Sequence, residues 1–361
     1  MKMSSTNLVS SKVFNVLIKI RIELCTSDNE YSNDNSLTYE VWQIKQGKIN
    51  MIDKENRAIG SLVGLAVGDA LGTTLEFMPR DTYPVLTDMI GGGAFDLKPG
   101  QWTDDTSLAL CLGESLNFIQ GFDPYDQLSR YYNWLHYGYK SSTGTCFDVG
   151  HSTHCAIADF KRHGTILHNP ELNSAGNGSL MRLAPIPIFY CTEEKYSHEF
   201  ADLLKFTRLS SATTHAGELA VESCVAYSIM INRAILGYDY MDVVRMTPES
   251  ANSFGITNRR VKQAVNPAYY MPKERDEIKS TGYVIDSIEA ALWCFSKTTN
   301  FEDAVLLAAN LGDDADTVAA ITGQLAGAYY GLDGIPQKWI DTITDSDEII
   351  ELATKLYNRK K

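Results

Sequence analysis

The sequence predicts an all-α domain of about 300 residues preceded by a small β extension, a size within the bounds of a single domain. Three observations carry that prediction. The hydrophobic pattern near the N-terminus has a period of two, the pattern after it is helical almost throughout, and the net charge changes between the two parts. In residues 15–24, Val16, Ile18, Ile20, Ile22 and Leu24 alternate with Lys19, Arg21 and Glu23, as the two faces of a half-buried strand do. Residues 26–36 are polar and read as a loop. Residues 39–44 and 48–52, parted by Gln46-Gly47, read as a hairpin. Residues 1–57 carry a net charge of +1 and the remainder −14. The expected division is therefore a β-rich extension over residues 1–55 and a helical domain over residues 56–361.

From Ala58 onward the apolar residues recur at helical spacing. Helices are expected over residues 107–118, 216–236, 285–295, 301–309, 318–330 and 346–357. Gly60, Gly64 and Gly68 recur at one-turn intervals, and Ala319, Ala320, Gly323, Ala326 and Gly327 crowd a second stretch. Small residues in such rows let helix backbones approach closely, at some cost in helix propensity.

Composition excludes several classes. With 44% hydrophobic residues, including 13 Phe, 19 Tyr and 5 Trp, the 361-residue chain can bury a large core and is not a disordered one. A net charge of −13 argues against a nucleic-acid partner held by a broad basic surface. The seven cysteines lack the regular spacing of a disulfide framework. No apolar run approaches the roughly 20 residues that span a bilayer, and the N-terminus lacks the apolar core of a secretory signal. The expectation is a soluble cytoplasmic protein with no membrane partner.

Chemistry concentrates at two helix starts. Gln101-Trp102-Thr103-Asp104-Asp105-Thr106 leads into one expected helix, and Gly312-Asp313-Asp314-Ala315-Asp316-Thr317 leads into another. Either alone reads as helix capping, because Thr and Asp are favoured N-cap residues and carboxylates suit the positive end of the helix dipole. A cap needs one oxygen, however, and these segments hold far more carboxylate than that. Like charges so concentrated repel unless a cation neutralises them. The donors are all hard oxygens, which suits Mg²⁺ or Mn²⁺ and not zinc, and the set is large enough for two ions.

Other candidates are weaker by themselves. Gly176-Asn177-Gly178-Ser179 could cradle a diphosphate with backbone N–H groups and the Ser179 hydroxyl, although a lone segment of this kind is usually a turn. Met181 and Arg182 follow it, Arg182 being equally suited to clamping the core. His215, after Thr214, is of a type more often structural than catalytic. Cys146, His151, His154 and Cys155 offer zinc-type donors, but their spacing departs from the usual paired patterns, and partly buried helix residues are the default reading. No His-Asp dipeptide occurs, which disfavours an HD-type phosphohydrolase.

Taken in order, these motifs resemble those of the ADP-ribosylglycohydrolases. The series runs Gly68-Asp69-Ala70-Leu71-Gly72-Thr73-Thr74-Leu75-Glu76, Thr103-Asp104-Asp105-Thr106, Phe147-Asp148-Val149-Gly150, Gly176-Asn177-Gly178-Ser179-Leu180-Met181-Arg182, Thr214-His215-Ala216 and Asp314-Ala315-Asp316-Thr317. Gly327-Ala328-Tyr329-Tyr330-Gly331, Ile335-Pro336 and Trp339 close it. Each motif is weak and their order is specific, over about residues 57–345.

The resemblance implies an orthogonal multi-helix fold, a binuclear Mg²⁺ or Mn²⁺ centre, and removal of ADP-ribose from a modified protein side chain, arginine being the expected one. It carries Thr103, Asp104, Asp105, Asp314, Asp316 and Thr317 over as metal ligands. Glu76 corresponds to an acidic residue near the second ion and the ribose, and Asp148 to a carboxylate beside the scissile bond. Asp148, Glu76 and Asp105 are thus the catalytic candidates, with Asp148 and Glu76 competing for the acid–base role. Gly176, Asn177, Gly178, Ser179, Met181 and His215 are the expected contacts to ADP-ribose. One departure is Asp313, where the family often has a second Gly. Relatives include immunity proteins against ADP-ribosylating toxins, which makes the extension a candidate surface for blocking an ADP-ribosyltransferase toxin. A non-catalytic binding protein on this scaffold, or a hydrolase of another ADP-ribose-like nucleotide, are the alternatives.

Overall fold

The computed structural model describes residues 52–168, 175–194 and 196–359. The strand and hairpin expected in the extension lie, apart from Ile52, outside the described residues. The long helices are α1 (Lys54–Gly72), α2 (Asp104–Ile119), α3 (Pro124–Tyr137), α4 (His151–His163), α5 (Ser197–Ala212), α6 (Glu218–Ile235), α7 (Val284–Lys297), α8 (Phe301–Ala309), α9 (Ala315–Tyr330) and α10 (Ser346–Asn358). The expected helices fall on α2, α6, α7, α8, α9 and α10, with ends differing by a turn or less. Among the described residues there is no sheet, only the isolated bridges Gly92–Leu97 and Gly176–Tyr283. No described helix is long and apolar enough to cross a membrane, and the described cysteines are free.

Helix α1 is capped by Asp53, whose Oδ1 accepts the Asn56 N–H at 2.7 Å, so the helix starts at Lys54, just ahead of Ala58, where the helical spacing begins. From Arg57 to Gly72 every residue of α1 is buried, and so is every residue of α9 from Ala315 to Tyr329. These helices form the axis of the molecule. Helices α6, α7 and α8 pack around α9, while α10 packs against α1 and α2.

The two axial helices meet through their backbones. A Cβ placed on Gly60, Gly64, Gly68 or Gly72 would overlap the carbonyl of Gly327, Gly323, Ala319 or Ala315 respectively. The descending order of the partners makes the pair antiparallel, so the C-terminal end of α1 lies against the N-terminal start of α9. At the opposite end the buried Arg57 guanidinium donates to the carbonyls of Ala234, Ala328 and Tyr329, satisfying chain ends that helix geometry leaves open.

This seam makes Gly68→Ala an informative change. In an exposed helix the substitution stabilises by ~1 kcal/mol. Here the new methyl meets the Ala319 carbonyl, which cannot move without parting the helices, and overpacking of this kind costs ~1–3 kcal/mol. Urea denaturation should show a net loss of stability, and a gain would contradict the seam.

Candidate active site

The site lies where the seam ends. Glycine at position 72 lets the backbone of Ala315 and Asp316 sit directly against α1. Just before it, the fully buried Asp69 reaches across to α2. Its Oδ1 accepts the N–H and hydroxyl of Thr103, both at 2.9 Å, and its Oδ2 accepts the N–H and hydroxyl of Thr106 at 3.0 and 2.6 Å. Asp69 therefore caps α2 from another helix. Thr103 makes no side-chain cap bond of its own, and neither does Asp314 at the start of α9. Capping consequently does not account for the carboxylates gathered here.

Side chains then cross-link the two helix starts. The Thr103 hydroxyl lies 3.2 Å from Asp316 Oδ2, across 213 residues of sequence, and the Thr317 hydroxyl donates to Asp105 Oδ1 at 3.3 Å. Asp104, Asp105, Asp316 and Glu76 are buried, whereas Asp314 and Asp148 are partly open. Glu76, Asp314 and Asp316 each bring a carboxylate oxygen within 4.8 Å of the others, a spacing that could hold a cation. Among the described residues, Glu76 Oε2, Asp105 Oδ2 and Asp316 Oδ1 are buried without a hydrogen-bond partner. A buried carboxylate oxygen with no donor is costly, and a hard divalent cation is the partner whose chemistry fits an all-oxygen donor set.

The electrostatics agree. Burial, then the charges of Asp148 and Asp316, hold Asp104 well above the usual carboxylate range. Burial and then Asp316 do the same to Asp105, and burial and then Asp314 to Asp316. Glu76 is pushed up to about 12, by burial first and then by Asp316, Asp148, Asp314 and Asp104. Asp148 is moved less, to about 6, by burial and then by Asp314 and Asp69, offset by a hydrogen bond with Asp104. It is held in the left-handed region, at φ 53°.

The glycine segment lies beside this bowl. The Asn177 N–H donates to the Gly282 carbonyl at 3.1 Å, and its Nδ2 donates to Asp314 Oδ2 at 2.5 Å and to Ser287 Oγ at 2.9 Å. Asn177 thus steadies a carboxylate of the bowl. Gly176 and Gly178 lie against the His215 ring, and a Cβ on Gly178 would strike it. His215 Nδ1 is 2.8 Å from the Thr214 hydroxyl, which accepts from the buried Arg182 at 2.7 Å. Burial, then Arg182 and His168, push the imidazole down to about 3, so it is neutral at pH 7. Ser179 and Met181 face the core instead: Ser179 Oγ lies 2.8 Å from Ser211 Oγ, and Met181 belongs to the apolar cluster.

Of the candidates read from sequence, Thr103, Asp104, Asp105, Asp314, Asp316, Thr317, Glu76 and Asp148 converge on one bowl, with Asn177 bonded to its rim. Arg182 is the internal clamp, donating to the Gly178 carbonyl and to Thr214. Asp313 is exposed, with φ 55°; its carbonyl accepts the Phe77 N–H at 2.7 Å and its own N–H donates to Met78 at 2.9 Å. Its carboxylate thus stands outside the bowl. The zinc alternative is not assembled: Cys155 Sγ pairs only with the His151 ring at 3.5 Å on the exposed face of α4, and among the described residues only Glu76, Asp314 and Asp316 form a cation-competent group. Asp69 stands in the Gly68–Glu76 motif with no role that its spacing reveals. The available signal was a carboxylate set in a row of small buried residues.

Without a cation, the folded state binds more protons at these carboxylates than the unfolded chain does, so stability falls as pH rises. Melting in EDTA should show Tm dropping between about pH 7 and about pH 8, above the titration of unfolded histidine and below that of cysteine. Saturating Mg²⁺ or Mn²⁺ should raise Tm and flatten that slope. A Tm that rises with pH in EDTA, or ignores both ions, would contradict the cation reading.

Comparison with known proteins gives the bowl a context. The sequence model of the ADP-ribosylglycohydrolase family matches residues 50–361. Over 304 residues the chain is 43% identical to the ADP-ribosylarginine hydrolase Tri1 of Serratia proteamaculans, covering 84% of this chain and 79% of that protein. Over 292 residues it is 32% identical to the ADP-ribosyl-(dinitrogen reductase) glycohydrolase of Rhodospirillum rubrum, covering 80% of this chain and 90% of that one. A solved structure described as an ADP-ribosylglycohydrolase-related protein complex matches with a TM-score of 0.72 at 36% identity, over 86% of this chain and 99% of that one. The buried carboxylate bowl and the helical frame that builds it are thus those of a member of the ADP-ribosylglycohydrolase family, to which this chain belongs.

Proposed function

We propose that this protein hydrolyses the N-glycosidic bond between ADP-ribose and an arginine side chain of a modified protein. The observation that carries the reading is the convergence of two acidic helix starts on oxygens that are buried, unpartnered and free of capping duty. The names of the relatives point to the same bond. A protein that only bound a partner would gain nothing from uncompensated buried carboxylates, which argues for catalysis over a binding scaffold.

In this reading Thr103, Asp104, Asp105, Asp314, Asp316 and Thr317, with Glu76 alongside, hold two Mg²⁺ or Mn²⁺ ions. When bound, such ions polarise oxygen ligands and orient a water. The chain's own residues do the rest. Asn177 fixes Asp314 by its 2.5 Å hydrogen bond, and neutral His215 packs its ring against Gly176 and Gly178, supporting the segment that would face the nucleotide. As the C–N bond stretches, the sugar acquires oxocarbenium character, which the surrounding carboxylates stabilise. Water oxygen bonds to the anomeric carbon while the guanidine nitrogen leaves with the electron pair. Asp148, with its carboxyl near 6, is the group suited to accept the water proton and return one to the departing nitrogen. Glu76 remains the competitor for that role. The products are ADP-ribose and unmodified arginine.

Asp316→Asn should lower turnover on arginine-linked ADP-ribosyl protein by at least ~100-fold, the scale on which single electrostatic groups contribute, and EDTA should do the same to the unmodified enzyme. Mass spectrometry should find intact ADP-ribose released from arginine much faster than from serine. Undiminished turnover in EDTA, or preference for serine, refutes the mechanism or the linkage.

We further propose, from the sequence pattern alone, that residues 1–55 bind and block an ADP-ribosyltransferase toxin. A β element so small cannot bury enough apolar surface to stand alone, and an exposed strand edge can add to another sheet. Deleting residues 1–50 should abolish binding to a cognate transferase and spare hydrolysis, and unchanged affinity would refute the role.

A further inference from the structure

Two aromatic residues adjoin carboxylates of the bowl in sequence and a third joins them, and one of the three is not explained by packing. Phe77 directly follows Glu76 and Phe147 directly precedes Asp148, the two carboxylates that compete for the acid–base role. Their rings are joined through Phe95: the centroids of Phe77 and Phe95 are 6.2 Å apart at an interplanar angle of 71°, and those of Phe95 and Phe147 are 5.1 Å apart at 54°. Phe95 sits on a tight loop, closed by the Gly92–Leu97 bridge, that is held to the end of α1 by the Thr74 hydroxyl on the Gly91 carbonyl at 3.1 Å.

Phe77 is the anomaly. It is 64% exposed, so burial does not hold a phenyl group there. Its φ of 61° is a strained value for a bulky side chain, where Gly or Asn would fit more easily. The conformation is enforced by the backbone bond from its N–H to Asp313, itself left-handed, and the return bond from Asp313 to Met78. An exposed aromatic ring in an enforced, unfavourable conformation beside a charged site calls for a ligand. Among the described residues no lysine or arginine occupies these rings.

We infer that Phe77, Phe95 and Phe147 form the receptor for the leaving group, stacking the guanidinium of the modified arginine and setting the preference for that linkage. Charge complementarity selects this occupant. Phe77 and Phe147 adjoin Glu76 and Asp148 in sequence, and the charges of Asp316, Asp148, Asp314 and Asp104 all act on Glu76. A planar, weakly hydrated cation is the group that stacks on aromatic faces and is drawn to carboxylates at once. A serine-linked substrate presents a neutral oxygen and gains neither contact.

This inference rests on the proposed arginine linkage and is tested apart from it. Phe77→Leu and Phe147→Leu keep apolar bulk and remove the π face, and both are compared with Phe77→Tyr. With an arginine-ADP-ribosylated peptide, each Leu variant should raise KM by about 5- to 30-fold, the range of a partly desolvated ring–cation contact, while Phe77→Tyr stays near wild type. Inhibition by agmatine should weaken in parallel, whereas Kd for free ADP-ribose and the melting temperature should not change. If wild type cleaves the peptide and the Leu variants keep its KM, the receptor is disproved and the linkage stands. Equal loss of ADP-ribose affinity would move the rings to the nucleotide side and overturn the inference. A wild-type enzyme inactive on the peptide overturns both.

Discussion

The close approach of α1 and α9 is the constraint on which the rest depends. Four successive turns of α1 present glycine, and four backbone carbonyls of α9 occupy the space that side chains would need. Because the pair is antiparallel, this contact delivers Asp69 and Glu76, near the end of one helix, to Asp314 and Asp316, at the start of the other. A looser seam would separate these carboxylates by the width of a side chain, and the Thr103–Asp316 and Thr317–Asp105 links would be lost. Glycine is a poor helix former, so its cost in propensity is accepted here for the position of the site.

That geometry creates an electrostatic burden that the chain partly answers by dividing labour. Asp69 absorbs the capping of α2 through donors on Thr103 and Thr106, whose hydrogen bonds favour its charged form against the larger opposing effect of burial. Asp314 is relieved in part by Asn177. The residual burden falls on Glu76, Asp105 and Asp316, each of which keeps an unpartnered oxygen. Satisfying those oxygens with protein donors would have been possible, as Asp69 demonstrates. Leaving them unsatisfied stabilises nothing in the chain itself and suits a cluster that could hold a cation.

Much of this was legible in the sequence, for physical reasons. Helix α8 falls on the expected residues because Asn300 caps it and an apolar stripe runs its length. The two acidic starts were conspicuous because capping chemistry does not require so many carboxylates. Other features depend on partners far away in the chain, and spacing cannot reveal them. Asp69 lies in a row of small residues that reads as plain packing, and its donors lie on another helix. Ser179 reads as a phosphate-binding hydroxyl until α5 brings Ser211 against it. Cys146, His151, His154 and Cys155 are close in sequence, yet α4 leaves His151 and Cys155 as an exposed pair that no third donor among the described residues joins.

The distribution of strain separates what is fixed in the site from what adapts it. The floor of the bowl is built on regular helix starts, whereas Phe77, Asp148 and Asp313 at its rim all adopt left-handed backbone. Such conformations cost ~1–3 kcal/mol each where the residue is not glycine. The backbone bonds from the Phe77 N–H to Asp313 and from the Asp313 N–H to Met78 hold both left-handed residues, so the rim segment after Glu76 and the turn before α9 act as one clasp. A substitution at Asp313 would therefore reach Phe77 through the backbone without touching a carboxylate of the bowl. A glycine there would adopt the same φ with less strain and would leave the clasp more pliable, whereas aspartate, which tolerates the left-handed region better than most side chains, holds it. The departure at Asp313 thus acts on the backbone of the rim segment that carries Phe77, and the carboxylates beneath it are not touched.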